Sequence, residues 1–380
     1  MKKVLVISFS NLKTDPRVYR QILFLKSVED FDITAVGYCS PDISGLNSIS
    51  IKKVKGSITS KLTRGFQLKS NQFEKYYWTS PPVKESLNKL KDNFFDLIIA
   101  NDINTLPLVV FLAKKNGAKV LLDAHEYQPR QFDDRWLFRF FFQDYWDYIC
   151  RTYLPKADAM VTVCQGIAEE YSKNYGIECG VLTNAPFQEL LKPSPVDDQS
   201  IRMIYHGFLN SSRKIENMLY LMDLLDERFS LDLMVIPNQG GYLQKLQKLV
   251  SIRKRISFRE PVPMPQISRA LNEYDIGLFL LWPASFNYRL ALPNKLFEYI
   301  QGCLAVAIWP SQEMVRVVHE YNCGVVSDDF TLESMAKVLN NLSTEEIKKF
   351  KENSRIASPH LCAEKNRDIL LDTVASLISD

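Results

Sequence analysis

The chain has 380 residues, 46% of them hydrophobic and 24% charged, with a formal net charge of +3. That length is too great for one core and implies two domains of ordinary size, and the composition excludes a disordered or fibrous chain. The charge is too small to imply nucleic acid, and seven dispersed cysteines with no C-x-x-C pair argue against a zinc site or a disulfide framework.

The scattered thiols suit a reducing compartment, and the cytoplasm is the expected location. No run of eighteen apolar residues occurs, so no membrane span is expected. Residues 4–8 are an apolar run too short for a signal peptide, with the pattern of a strand buried on both faces. The loop after it holds no glycine, which weighs against a dinucleotide-binding dehydrogenase. Asp15 then caps a helix with Pro16 at its first position and Val18, Ile22 and Leu25 as its apolar stripe. Residues 31–38 read as the second strand. Residues 41–93 are irregular and basic, turning helical near 83–90.

A buried strand at 95–100 ends in Asn101 and Asp102. A helix at 104–115 leads to a strand at 119–123, which ends in Asp123, Ala124, His125 and Glu126. Polar residues at two strand ends of an open α/β sheet mark its ligand side. Asp102 also suits a helix cap, and His125 a satisfied loop histidine. Function is favoured for His125 because strand-end loops carry the chemistry of such folds. Residues 136–153 are rich in aromatics, with Arg135, Arg139 and Arg151 among them. They read first as a helix packed into the domain, and alternatively as a helix leaning on a membrane or an acceptor. A strand at 159–164, a helix to about 174 and a strand near 181 close the first run. Residues 192–200, with Pro193 and Pro195, have the composition of a linker.

The alternation restarts with a strand at 201–205. His206 and Gly207 follow, then Arg213 and Lys214, then a helix striped by Met218, Leu221, Met222 and Leu225. A strand, a glycine-bearing basic loop and a helix start form an anion cradle. Further strands are expected at 231–236, 255–258, 275–281, 304–308 and 323–327, with a turn at 237–241. Helices are expected at 263–271 and from Thr331, Thr344 and about Cys362.

Residues 290–302 carry the most direct chemistry. They read as a short helix with Pro293 at its first position and Gly302 as its stop. Leu296, Phe297 and Ile300 form a buried stripe, while Asn294 and Glu298 share a face. The open N–H groups of the helix start attract an anion, and Lys295 adds a positive charge there. A carboxylate one turn further in suits a ribose diol. Phosphate at the tip and ribose behind it describe a nucleoside diphosphate. The same residues also describe an ordinary amphipathic helix with solvated Asn, Lys and Glu.

With these motifs assembled, most of the chain resembles the GT-B glycosyltransferases, in particular the retaining family-4 enzymes of bacterial polysaccharide synthesis. The resemblance rests on four stretches: Thr14, Asp15, Pro16, Arg17, Val18, Tyr19 and Arg20; Asp123, Ala124, His125 and Glu126; His206 and Gly207 with Arg213 and Lys214; and Leu292 through the helix to Tyr299. It implies an α/β GT-B fold, two doubly wound Rossmann-like domains facing a central cleft. Residues 1–190 would bind the acceptor and 191–362 the nucleotide sugar, with a helix at 363–380 crossing back to the first domain. Lys214, Lys295 and Asn294 would meet the diphosphate, and Glu298 would grip the ribose. His125 would approach the transferred sugar as the catalytic residue, and Asn11, Arg17, Asp102 and Glu126 would line the acceptor side.

Two departures from the family pattern matter. The first of its paired glutamates falls on Leu290, so sugar contacts pass to Gly207, Ala291, Leu292 and Pro293, or to Asn287. Phe208 stands where several relatives have arginine, so Arg213 takes that role. The implied reaction moves a hexose from a nucleoside-diphosphate sugar, UDP-glucose as the first expectation, to a saccharide or lipid-linked saccharide hydroxyl with retention. No cofactor and no metal is expected, since the cations themselves would stabilise the leaving group and no D-x-D pair sits at a strand end. A nucleotide-sugar epimerase and a non-catalytic two-domain binding protein are the alternatives. The basic run Lys52, Lys53, Lys55, Lys61, Arg64, Lys69 and Lys75 is a solvated face or, in the second reading, a contact with anionic headgroups at the inner membrane face, at about 1 kcal/mol per charge.

Overall fold

The computed structural model describes residues 1–53, 58–237 and 240–378, with the backbone alone for 58–61. Lys55 therefore lies outside the described residues, as do the side chain of Lys61 and, in the expected turn at 237–241, Asn238 and Gln239. The chain divides into two compact units. The first comprises Met1–Thr183, Ser285–Asn287 and Asn366–Asp380, and the second Asn184–Ala284 and Tyr288–Lys365.

The first unit is built on a seven-stranded parallel sheet: β1 (Lys2–Asn11), β2 (Phe31–Tyr38), β3 (Asn47–Ser50), β4 (Leu97–Asn101), β5 (Lys119–Ala124), β6 (Ala159–Thr162) and β7 (Gly180–Val181). Their order is β3-β2-β1-β4-β5-β6-β7. Val4, Leu5, Val6 and Ile7 of β1 and Leu97, Ile98 and Ile99 of β4 have no exposed surface. Such continuous apolar runs arise because helices cover both faces of a parallel sheet. Direction of winding reverses between β1 and β4, so the C-terminal ends of these strands form the ligand-binding edge of the sheet. The helix Pro16–Lys26 starts as expected, with the Asp15 side chain accepting from the N–H groups of Arg17 and Val18.

Two stretches differ from the pattern-based expectation. Residues 41–93, read as irregular and basic up to a helix near 83–90, contain β3 and the helices Ile58–Lys69 and Phe73–Trp78 before the expected helix, Pro81–Leu90. β3 is a four-residue strand of mixed polarity with no buried residue, too short to show periodicity. The aromatic stretch is two helices, Trp136–Phe141 and Gln143–Tyr153, broken at Phe142 (φ −115°). The second buries Tyr145, Ile149, Cys150 and Tyr153, whereas the first buries only Phe138.

The second unit repeats the plan with six parallel strands: β8 (Ile201–Phe208), β9 (Phe229–Ile236), β10 (Ile256–Arg259), β11 (Ile276–Phe279), β12 (Ala305–Ile308) and β13 (Gly324–Val326). The order β10-β9-β8-β11-β12-β13 reverses between β8 and β11. Two helices absent from the sequence reading, Tyr242–Val250 and Gln312–Tyr321, fill connections between strands. Beneath the sheet, Lys351 and Asp275 form an ion pair of 3.0 Å with neither side chain exposed, and Lys351 also donates to the Tyr274 carbonyl and to Ser194. Burial holds the Lys351 ammonium below its ordinary pKa, against the opposing pull of Asp275.

The closing helix Ala363–Ile378 belongs to the first unit from Asn366 onward. There the Asn366 amide donates to the Thr183 carbonyl (2.9 Å) and accepts from the Thr183 N–H (3.1 Å). No described helix is long and apolar enough to cross a membrane.

Candidate functional site

The second unit gathers its chemistry where β8 ends, beside the start of the helix Asn294–Gln301. Pro293 is the N-cap of that helix (φ −77°, ψ 153°) and not its first residue, so the helix begins at Asn294, one position later than expected. A proline cap brings no side-chain acceptor, so the first N–H groups are left for something else. Gly302 is not the left-handed stop that the sequence suggested. Its φ is −76°, and Cys303 takes the left-handed turn at φ 56°. Gly302 is needed for space instead: a Cβ there would stand 3.0 Å from the Ser268 carbonyl and 3.1 Å from Leu271. Gly277 does the same on β11, since a Cβ would meet the Tyr299 ring at 2.3 Å. The helix is thus pressed onto the sheet by a tyrosine lying over a glycine.

This close seat buries the polar face. Lys295 is 5% exposed and Glu298 4% exposed, which rules out the solvated amphipathic helix. Gly207 is what admits the lysine. It has φ +121°, and a Cβ at this position would lie 2.4 Å from Lys295 Nζ. The ammonium passes across the end of β8 and lies 5.8 Å from the ring centroids of both Tyr205 and Phe279. Burial, with Arg213 adding repulsion, pushes Lys295 down to about 7, while Glu298 opposes the shift.

The loop after β8 turns through Ser211–Arg213, fixed by the Asn210 side chain accepting from Ser212 N–H and Oγ. Arg213 is half-buried, and its Nε is buried with no hydrogen-bond partner among the described residues. Lys214 is exposed, in the left-handed region (φ 49°), with Nζ 4.6 Å from the Trp282 ring centroid. At the end of β8 the buried lysine is therefore Lys295, and Lys214 reaches over an aromatic face.

Asn294 and Glu298 meet as their spacing predicts: the Asn294 amide donates to Glu298 Oε1 at 3.2 Å. The other oxygen, Oε2, lies 3.3 Å from His206 Nε2. Sequence reasoning gave His206 no role beside its glycine. Burial, then the charges of Lys295 and Arg213, hold its pKa well below the ordinary histidine value, so the ring is neutral at pH 7. Ala291, Leu292 and Pro293 are half-buried on the approach to the helix, while Leu290 is buried. Asn287 does not serve this unit. It belongs to the first unit, where its buried amide is tied to Tyr127, accepting from the N–H (2.8 Å) and donating to the carbonyl (3.2 Å).

In the first unit, the ends of β4 and β5 bring Asp102 and His125 together. Asp102 adopts φ 65°, its Oδ1 accepts from the His125 N–H (3.3 Å), and its Oδ2 lies 3.6 Å from His125 Nδ1. Burial raises the Asp102 pKa, against the pull of His125. Glu126 is exposed, and Asn11 is half-buried with Oδ1 accepting from the Lys13 N–H. Arg17, expected on the acceptor side, is instead spent inside the unit. It binds both oxygens of Asp123 and donates to the carbonyls of Leu182 and Thr183, and it is only 7% exposed.

No protein-family model and no curated protein sequence matches the chain at a significant level. Among solved structures, the chain is similar to HepE of Anabaena in complex with UDP and glucose, with 12% identity, a TM-score of 0.71 and coverage of 99% of this chain and 100% of the other. It is similar to sucrose-phosphate synthase of Thermosynechococcus elongatus, with 12% identity, a TM-score of 0.73 and full coverage of both chains. It is also similar to WaaG, a glycosyltransferase involved in lipopolysaccharide biosynthesis, with 13% identity, a TM-score of 0.64 and coverage of 97% and 99%. These likenesses carry the fold: two parallel-sheet Rossmann-like units of the GT-B class.

Proposed function

We propose that the protein is a retaining glycosyltransferase that moves a hexose, glucose from UDP-glucose first, to a hydroxyl of a saccharide or lipid-linked saccharide. The observation that carries this reading is the Lys295 ammonium, buried across Gly207 beside Arg213, with Glu298 one turn behind it. Two converging cations and an uncapped helix start are costly without an anion, and a diphosphate supplies one. The Glu298 carboxylate, now held by Asn294, would accept hydrogen bonds from a ribose diol in its place. The neutral His206 leaves that carboxylate its charge. The solved complexes of HepE with UDP, with UDP and glucose, and with UDP-glucose support the same ligand class.

In the reaction, the bond from the anomeric carbon to the diphosphate oxygen breaks, and the acceptor oxygen bonds to that carbon on the same face. The departing phosphate takes the acceptor proton. Lys295, Arg213, Lys214 and the helix start at Asn294 stand where negative charge grows, which is preorganised electrostatic stabilisation. We assign them the work that a divalent metal does in other transferases. Gly207, Ala291, Leu292 and Pro293 are assigned to the sugar. His125 keeps the catalytic assignment, with Asn11, Asp102 and Glu126 on the acceptor side, in the cytoplasm and next to a membrane carrying anionic lipid.

The test is release of UDP from UDP-glucose, first by slow hydrolysis and then with candidate acceptors, in EDTA, with the product anomer read by NMR. Lys295→Met is expected to lower turnover by on the order of a hundredfold. Glu298→Gln should weaken UDP binding. No thermal stabilisation by UDP together with no UDP release would sink the reading.

A further inference from the structure

A line of side chains in the first unit runs from a buried ion pair to His125. Arg17 Nε reaches Asp123 Oδ1 and Oδ2 at 3.0 and 2.9 Å, and its NH2 nitrogen reaches Oδ1 at 2.6 Å. A guanidinium only donates, so both oxygens of Asp123 act as acceptors. Gln21 Nε2 lies 3.0 Å from Asp123 Oδ2 and must donate to it. That orients the rest of the Gln21 amide: Oε1 points on to Asn101 Nδ2 at 2.9 Å and accepts from it. Asn101 is oriented in turn, and its Oδ1 stands 3.2 Å from His125 Nε2. Turning either amide over would set donor against donor or acceptor against acceptor, so one orientation satisfies the whole line.

The line ends at an acceptor facing Nε2. Asp123 Oδ2 also looks toward Nε2, at 3.9 Å. On the other side of the ring, Asp102 Oδ2 is 3.6 Å from Nδ1, beyond hydrogen-bond reach. Gln21 is 4% exposed, Asn101 fully buried and Asp123 1% exposed, so water does not compete within the line.

We propose that Asp123, Gln21 and Asn101 are positioning residues that hold neutral His125 with its proton on Nε2, leaving Nδ1 as the nitrogen that accepts. The consequence for catalysis rests on the transferase reading: a hydroxyl of the sugar substrate meets His125 as a donor, at Nδ1. The tautomer itself does not depend on that reading.

The test is a long-range proton–nitrogen correlation spectrum of the protein labelled with 15N-histidine, at a pH where the ring is neutral. Only four histidines are present, and His125→Gln identifies the signal. The wild type should show a protonated Nε2 and a bare Nδ1. Gln21→Met frees the Asn101 amide to turn, and Asn101→Leu removes the acceptor; each should give a mixture of tautomers. Asn101→Asp combined with Gln21→Met keeps an acceptor at Nε2 with no amide oxygen opposing it and should keep the single tautomer, which a purely packing role would not require. With UDP-glucose, Gln21→Met should lower kcat on the order of tenfold with little change in KM. A wild-type ring protonated on Nδ1 would overturn the proposal even if no variant folds. So would an unchanged tautomer in a folded Gln21→Met and Asn101→Leu. An Nε2 proton with no effect on turnover would leave the line in place and count against the transferase role of His125.

Discussion

Lys295 shows how one residue couples the proposed ligand to pH. An ammonium taken out of water loses its hydration, and Arg213 repels it, so its pKa falls from 10.5 to about 7. In the free site above pH 7 the amine is therefore mostly neutral. A bound diphosphate would favour the charged form and raise the pKa again. Binding above pH 7 must then take up a proton, and affinity must fall as pH rises, by at most about tenfold per unit. Calorimetric titration with UDP at pH 8.5, in two buffers of different ionisation heat, should give different apparent enthalpies. In Lys295→Met the difference should vanish along with most of the pH dependence. Equal enthalpies in the wild type would mean that the amine does not see the ligand.

At the scale of the element, the helix Asn294–Gln301 is placed by what lies beneath it. The Tyr299 ring covers Gly277 and its hydroxyl donates to the Leu278 carbonyl at 3.2 Å, so the ring cannot give way. Its edge also meets the His206 ring, with centroids 5.3 Å apart. Gly277→Ala should therefore push the helix off β11. Overpacking of this kind costs about 1–3 kcal/mol. The expected result is a lower unfolding midpoint together with weaker UDP binding, because Lys295 and Glu298 ride on the displaced helix. A variant that loses stability but binds UDP like the wild type would separate this packing from the site.

At the scale of the molecule, the first unit shows an apolar and basic face. Leu62, Phe66 and Lys69 share one side of the helix Ile58–Lys69, and Leu62 and Phe66 are about seven-tenths exposed. The helix Trp136–Phe141 leaves Trp136, Leu137 and Phe140 more than half exposed. Lys69 joins the two, with Nζ 3.2 Å from the Phe140 ring centroid, while Arg135 and Arg139 are exposed alongside. The expected basic run is thus only part of the feature. Arg64 is turned inward, stacking on Tyr76 at 3.9 Å and donating to its carbonyl, and the aromatic helix supplies the apolar half. Such a face fits a peripheral contact with anionic lipid. Vesicles with phosphatidylglycerol should co-sediment the protein and neutral phosphatidylcholine vesicles should not. Trp136→Ser with Phe140→Ser, and separately Lys69→Glu with Arg139→Glu, should each release it. Unchanged binding in both pairs would remove the membrane reading.

The alternation of short apolar runs with helical stripes was enough to specify two parallel α/β sheets, because buried strands and amphipathic helices are written in neighbouring residues. The meeting of Asn294 and Glu298 was legible for the same reason: they are one helical turn apart. Partners brought together from a distance were not. Arg17 and Asp123 lie 106 positions apart, and Asn287 pairs with Tyr127 across 160, which is why two residues that read as ligand contacts are spent on the protein itself. The need for glycine at 277 and 302 was also invisible, since it comes from the Tyr299 ring, the Ser268 carbonyl and Leu271 pressing in from other elements. Local periodicity records which face of an element leaves water. Only packing decides which charges go with it, and so only the folded chain turned Lys295 from a surface cation into a buried one.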